Sequence, residues 1–371
     1  MAKSAVQEIQ PSDTEALRRF MALERKWLGG YPLFYSGPDE DVVTQLSGKS
    51  AFAADLRYAL FVTSDGERDV ARCAAIVNSR YQKAKGEAVG FIGYFAALPG
   101  CDDHVAALLQ RAEAWLSENG TTMVMAPYNA SEFLGSPVLR TEAFDEDLPF
   151  VWHPPYYKGY LAQSGYRATR PMMIFEAELT SPAYRDVAQR ALGNRHVRVR
   201  SVDKDNWDAD IETFRVLYNE TMRDEWESCP VTTEQFREFF DPMKPFYDTR
   251  QLLIAEVDGK PAGLCWGMPD WTPLVRSLEG KSGTEWEDSF RRGADSYSRA
   301  GLIVVGVLPQ YRGKGVGQTL TAKLFQRYEE VGLDRASYHI VNADNAASCK
   351  LAESFGATGR VYYHGYEKRL A

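Results

Sequence analysis

The stretch "VGVLPQYRGKGVG", Val305 to Gly317, decides how the second half of this 371-residue chain is read. An apolar run of strand type stops at Leu308-Pro309. Three glycines then follow at 313, 315 and 317, interleaved with Arg312 and Lys314, before an amphipathic run begins. In that run Val316, Leu320, Leu324 and Tyr328 recur every four residues, which predicts a helix with one apolar face. The first amides of a helix have no intrahelical acceptor and carry the positive end of its dipole, so a strand-to-helix turn of this kind is suited to an anionic group. Glycine lets that group approach backbone from which a Cβ would hold it off. The spacing excludes two nucleotide loops. A Walker A loop needs glycine where Leu308 stands, and a G-x-G-x-x-G fingerprint beginning at Gly315 needs glycine where Leu320 stands.

Working outward, the order of elements occurs twice. "LFVTSDGERDVARCAAIV" (60–77) and "LLIAEVDGKPAGLCWGM" (252–268) each read as strand, Asp-Gly turn, strand. Each is followed by an apolar strand ending in Leu-Pro, at Leu98-Pro99 and Leu308-Pro309, and then by a helix closing on glycine. Strands "TTMVMAP" and "RASYHIV" come next. The second half carries an extra stretch, 272–296, before its fourth strand, and the first half carries one, 129–154, after its fifth. The expectation is a duplicated α/β chain of α+β type. Each domain has a central mixed sheet flanked by helices, one spanning 1–180 and the other 195–371, with 179–194 as the connection. The first half lacks the cradle, because Asp102 and Asp103 follow its Leu-Pro and would repel an anion.

Bulk composition points the same way. Lys and Arg number 43 against 51 Asp and Glu, a net charge of −8, so steering of nucleic acid or anionic membrane is not expected. No apolar segment reaches signal-peptide or membrane-span length, and a soluble, cytoplasmic protein is expected. The five cysteines and five histidines are scattered without C-x-x-C or H-x-x-x-H pairs, so free thiols and no metal site are expected.

The cradle and its flanks resemble the GNAT acyltransferase superfamily. Its signature is a strand ending V-x-V-x-P, followed by Y-R-G-x-G-[VI]-G opening a helix. A second family segment, strand, asparagine, then a helix closing on glycine, matches "YHIVNADNAASCKLAESFGA" (338–357), and the resemblance covers about residues 196–371. Tyr218-Asn219-Glu220, Pro269-Asp270 and His153 to Tyr157 further resemble a group of bacterial tandem proteins of that superfamily, with a degenerate amino-terminal domain.

The resemblance implies an acyl-CoA co-substrate, acetyl-CoA first among them, with its pyrophosphate on the amides of Gly313, Lys314, Gly315, Val316, Gly317 and Gln318 and with Arg312 fixing the loop. Val305, Gly306 and Val307 would run along the pantetheine arm and Asn345 would touch it. The implied activity is N-acetyl transfer to a small-molecule amine by direct attack in a ternary complex, with no membrane partner, nucleic acid disfavoured, and the oligomeric state open. Glu220 and Asp270 are the acidic candidates for the proton acceptor. The tyrosine that many members carry seven residues after the asparagine is Ala352 here, with Tyr218, Tyr338 and Tyr362 as conceivable replacements. That departure keeps two alternatives open, a non-catalytic acyl-CoA-binding protein and an aminoacyl-tRNA-dependent transferase. "APYNASEFLGSP" and "FVWHPPYYKGY" of the first half are candidate walls of an acceptor pocket.

Overall fold

The computed structural model describes residues 5–31, 34, 39–66, 68–135, 138–140 and 152–370. The chain runs β1 (Ala5–Ile9), α1 (Thr14–Leu28), α2 (Asp39–Leu46), β2 (Leu56–Ser64), β3 (Asp69–Asn78), α3 (Ser79–Lys85), β4 (Val89–Ala97), α4 (Asp102–Glu118), β5 (Met123–Ala126), β6 (Leu139–Arg140), α5 (Tyr157–Gln163) and β7 (Arg167–Glu178). It continues with α6 (Pro182–Leu192), β8 (Arg198–Ser201), α7 (Trp207–Thr221), α8 (Thr233–Phe240), β9 (Leu252–Val257), β10 (Lys260–Pro269), α9 (Thr272–Ser277), α10 (Gly283–Gly293), β11 (Ala300–Val307), α11 (Val316–Glu330), β12 (Arg335–Asn342), α12 (Ala346–Ser354) and β13 (Thr358–Arg369).

Two compact units result. Unit 1 is Met1–Pro171 with Glu227–Pro230 and Tyr363–Ala371, and unit 2 is Met172–Trp226 with Val231–Tyr362. Element order alone draws halves at 1–180 and 195–371, whereas compactness divides the chain inside β7 and returns two short segments to unit 1. The stretch read as a connection is α6, the first helix of unit 2, whose Tyr184, Ala188 and Ala191 belong to the same buried cluster as Leu320 and Leu324 of α11.

In unit 1 the strands are ordered β1-β2-β3-β4-β5-β13, and in unit 2 β7-β12-β11-β10-β9-β8. Both strand orders are mixed, with β4/β5 and β11/β12 as the parallel pairs in otherwise antiparallel neighbours. The β9–β10 hairpin closes with a two-residue turn in which Asp258 and Gly259 stand at φ 51° and 71°, the paired positive dihedrals that favour Asp-Gly.

The four-residue spacing of α11 is realised, since Val316, Leu320, Leu324 and Tyr328 are all buried. On β11, Val305 and Val307 pack on the α11 cluster, while a Cβ added to Gly306 would run into the Thr221 hydroxyl at the end of α7. Alternation along the strand therefore puts α7 and α11 on opposite faces of the sheet. The extra stretch of the second half folds as α9 and α10 around Leu278, Phe290 and Ala294. Of its counterpart in the first half, residues 136–137 and 141–151 lie outside the described residues. Among the described residues no helix is long and apolar enough to cross a membrane, and no group of three or more metal-ligating side chains converges.

Candidate active site

Two parallel strands that part create the site in unit 2. β11 and β12 pair only at Gly301 with Ser337 and Leu302 with Tyr338, although β11 continues to Val307 and β12 to Asn342. Both strands are irregular just past the last pair. The β10–β11 register shifts at Trp266/Gly267, which leaves Ile303 as an extra residue in β11, and β12 carries Ile340 at φ 53° within its own shift against β7. The result is a split with an unpaired β11 edge along one lip.

Which edge groups face the split follows from hydrogen-bond alternation. Leu308 donates its N–H to Ala262 O at 2.9 Å, so in this antiparallel pair Gly306 also turns to β10, while Val305 and Val307 turn away. The three residues expected along the arm thus divide. Val305 offers its backbone groups to the split and Val307 its N–H, the Val307 carbonyl being taken by Arg312, while those of Gly306 are spent within the sheet. Gly306 serves by lacking a side chain, because α7 comes too close for one.

At the end of β11 the glycine turn leaves a run of backbone amides without acceptors. Gly313 and Gly315 take φ 76° and 79°, a region that L side chains avoid, and a Cβ on Gly313 would project into open space, so its backbone, not crowding, selects glycine there. Among the described residues the amides of Gly313, Gly315, Val316, Gly317 and Gln318 find no acceptor; the first amides of α11 to find one are those of the next residues, beginning with Thr319 N–H to Gly315 O at 2.9 Å. Neighbours hold the turn. Asn194 Nδ2 donates to Lys314 O at 3.1 Å, Arg312 Nε donates to Val307 O at 3.3 Å, and Thr319 Oγ1 lies 3.2 Å from Ala191 O. Lys314 stands over the Tyr311 ring at 5.3 Å, so both cationic side chains remain exposed beside the cradle.

The acidic candidates fare differently. Asp270 is buried and accepts from Thr272 N at 3.0 Å, and both guanidinium contacts of Arg299, at 3.2 and 3.0 Å, fall on its Oδ2. That is the bonding of a carboxylate that fastens the end of β10 to the start of β11. Glu220 is exposed on the last turn of α7 and grips Arg223 with both oxygens at 2.8 Å. Asn345 caps α12, its Oδ1 accepting from Ser348 N at 3.1 Å, and its Nδ2 donates to Glu225 Oε1 at 2.6 Å. Glu225 sits in "MRDEWES" with no motif to mark it, and its partner lies 120 residues away. Ala352 is buried in α12 and supplies no hydroxyl. Of the three tyrosines weighed in its place, Tyr338 stands at the apex of the split with Ser348, Glu225 and Cys349 around it, and burial raises its hydroxyl pKa. Tyr218 packs on Phe236 under α7.

Unit 1 repeats the geometry and closes it. β4 pairs with β5 only over Val89–Phe91, and Leu98 N–H bonds Val70 O as Leu308 N–H bonds Ala262 O. Ala97 is thereby the counterpart of Val307, but its edge groups are taken. Tyr157 OH accepts from Ala97 N at 3.0 Å, Tyr156 OH donates to Ala97 O at 2.9 Å, and Tyr160 OH bridges Cys101 N and Leu98 O at 3.0 and 2.6 Å. Asn129 Oδ1 accepts from Tyr94 N at 2.8 Å. From the two aromatic stretches, Asn129, Tyr156, Tyr157 and Tyr160 thus satisfy the open edge of β4.

Residues 211–357 match the acetyltransferase (GNAT) family. The bacterial ceramide synthase of Caulobacter vibrioides is 26% identical over 95% of this chain and 95% of its own length. Protein YghO of Escherichia coli K12 is 22% identical over 88% and 85%. Among solved structures, a tandem GNAT protein from the clavulanic acid biosynthesis pathway superposes with a TM-score of 0.55 at 13% identity, covering 98% of both chains. A GCN5-related N-acetyltransferase from Sphaerobacter thermophilus gives 0.50 at 16% identity, over 100% of this chain and 96% of its own.

Proposed function

We propose, from the match of residues 211–357 to the acetyltransferase (GNAT) family, that the chain transfers an acyl group from coenzyme A to the amine of a long-chain amino alcohol, forming an amide. The observation that carries the donor half is the set of five amides of the 313–318 turn without an acceptor, lying just past an unpaired strand edge. A pyrophosphate fits those amides and an amide-bearing pantetheine arm fits Val305 and Val307. The acceptor half is supported by the likeness to a ceramide synthase along nearly the full length of both chains, since a ceramide is the amide of a fatty acid and a long-chain amino alcohol. Direct attack needs the carbonyl oxygen to be stabilised as it becomes an oxyanion, and an outward amide of the β11 edge serves that purpose.

Release of free thiol from acyl-CoA thioesters of increasing chain length, offered with sphinganine or with small hydrophilic amines, tests the proposal. Turnover is expected with sphinganine and a long acyl-CoA. Turnover with acetyl-CoA and small amines alone would replace the lipid reading with N-acetyl transfer to a soluble acceptor, and release with no amine would overturn amide formation.

A further inference from the structure

The split has a carboxylate in its mouth. Thr221 ends α7 against Gly306 on the β11 lip, and four residues later the chain presents half-buried Glu225. Asn345 opens α12 on the β12 lip, and its Nδ2 reaches Glu225 Oε1 at 2.6 Å. The bond therefore runs from lip to lip, across the opening through which an acyl-pantetheine arm lying on Val305 would deliver its thioester. The orientation of the Asn345 amide is fixed, because its oxygen is committed to Ser348 N at 3.1 Å. The two other acidic candidates stand elsewhere, Glu220 exposed on the last turn of α7 and Asp270 at the far end of β11.

We propose that Glu225 carries the proton from the attacking amine to the departing sulfur and that Asn345 is the positioning residue that holds its carboxylate in the split. The inference rests on the acyl-CoA reading above. The neutral amine attacks the thioester carbon, a C–N bond forms and the carbonyl electron pair moves to oxygen. Glu225 takes one N–H proton, the C–S bond breaks with its electron pair going to sulfur, and Glu225 returns that proton to the thiolate. Amide and free thiol leave, and the carboxylate is restored. One residue serving both transfers accounts for a site that functions with Ala352 where other members place a hydroxyl.

Glu225→Gln separates the base from a merely structural latch, since the glutamine oxygen still accepts from Asn345 Nδ2. With the amine that supports turnover, kcat is expected to fall at least about 100-fold, the low end for loss of a positioned proton acceptor, while coenzyme A affinity and thermal midpoint stay those of the unmodified protein. Glu225→Ala is expected to regain activity when formate is supplied in place of the lost carboxylate. An E225Q variant within about threefold of the unmodified kcat, or an E225A variant indifferent to formate, would overturn the assignment. If the unmodified protein releases no thiol with any amine, it is the proposed function that fails.

Discussion

Gly306 and Gly313 are both glycine, for two different physical reasons. At Gly306 a Cβ meets the Thr221 side chain in a packed sheet-to-helix contact, so Gly306→Ala is expected to destabilise by about 1–3 kcal/mol in urea unfolding, the usual range for overpacking. At Gly313 nothing lies within 4 Å of a Cβ, and alanine there costs only its left-handed backbone, about 1–2 kcal/mol. His339 makes a third residue-scale prediction. Burial holds its pKa down to about 3, against 6.5 for an exposed imidazole, so the folded chain keeps it neutral where the unfolded chain protonates it. Stability is thus full above about pH 6.5 and declines as pH falls toward 3, and a His339→Asn variant is expected to flatten that decline in denaturation midpoints measured across the range. Residues of the cradle were legible in the sequence because backbone geometry demands glycine at fixed spacing. Glu225 was not, because what distinguishes it is a contact with Asn345 that only the folded chain creates.

At the scale of elements, the strand-loop-helix unit 300–330 was readable in full, periodicity and Leu-Pro stop included, and so was its echo in the first half. The parting of β4 from β5 and of β11 from β12 was not, since strand sequences specify neither where pairing ends nor what fills the gap. The tyrosines of α5 and its N-cap show the consequence. The same edge that faces the split in unit 2 is satisfied in unit 1 by Tyr156, Tyr157 and Tyr160. Tyr157→Phe would leave the Ala97 N–H buried without its acceptor, at a cost of about 1–3 kcal/mol, and the variant is expected to unfold at lower denaturant while binding coenzyme A as before. Tighter or additional coenzyme binding in that variant would contradict the view that unit 1 has filled its own split.

At the scale of the whole molecule, duplication was legible and the division of the chain was not. Unit 1 takes back the carboxyl-terminal segment, where Tyr366 to Arg369 pair with Ala126 to Met123 and Lys368 Nζ reaches Glu113 at 2.7 Å. Linear order gives no sign of such a return, because its reason is a sheet edge laid down some 240 residues earlier. Removing residues 363–371 strips β5 of that partner and is expected to abolish hydrogen-exchange protection of the unit 1 sheet; protection unchanged would contradict the assignment of the segment to unit 1. One of the two related units, and not the other, is proposed to hold the donor on an acceptor-free glycine turn. Calorimetric titration of the full chain with coenzyme A tests it most directly. One coenzyme per chain is predicted, with binding lost in Gly315→Val, whose side chain would enter both a φ of 79° and the Asn194 contact that holds the turn. Two coenzymes per chain, or undiminished binding by a folded Gly315→Val variant, would contradict it.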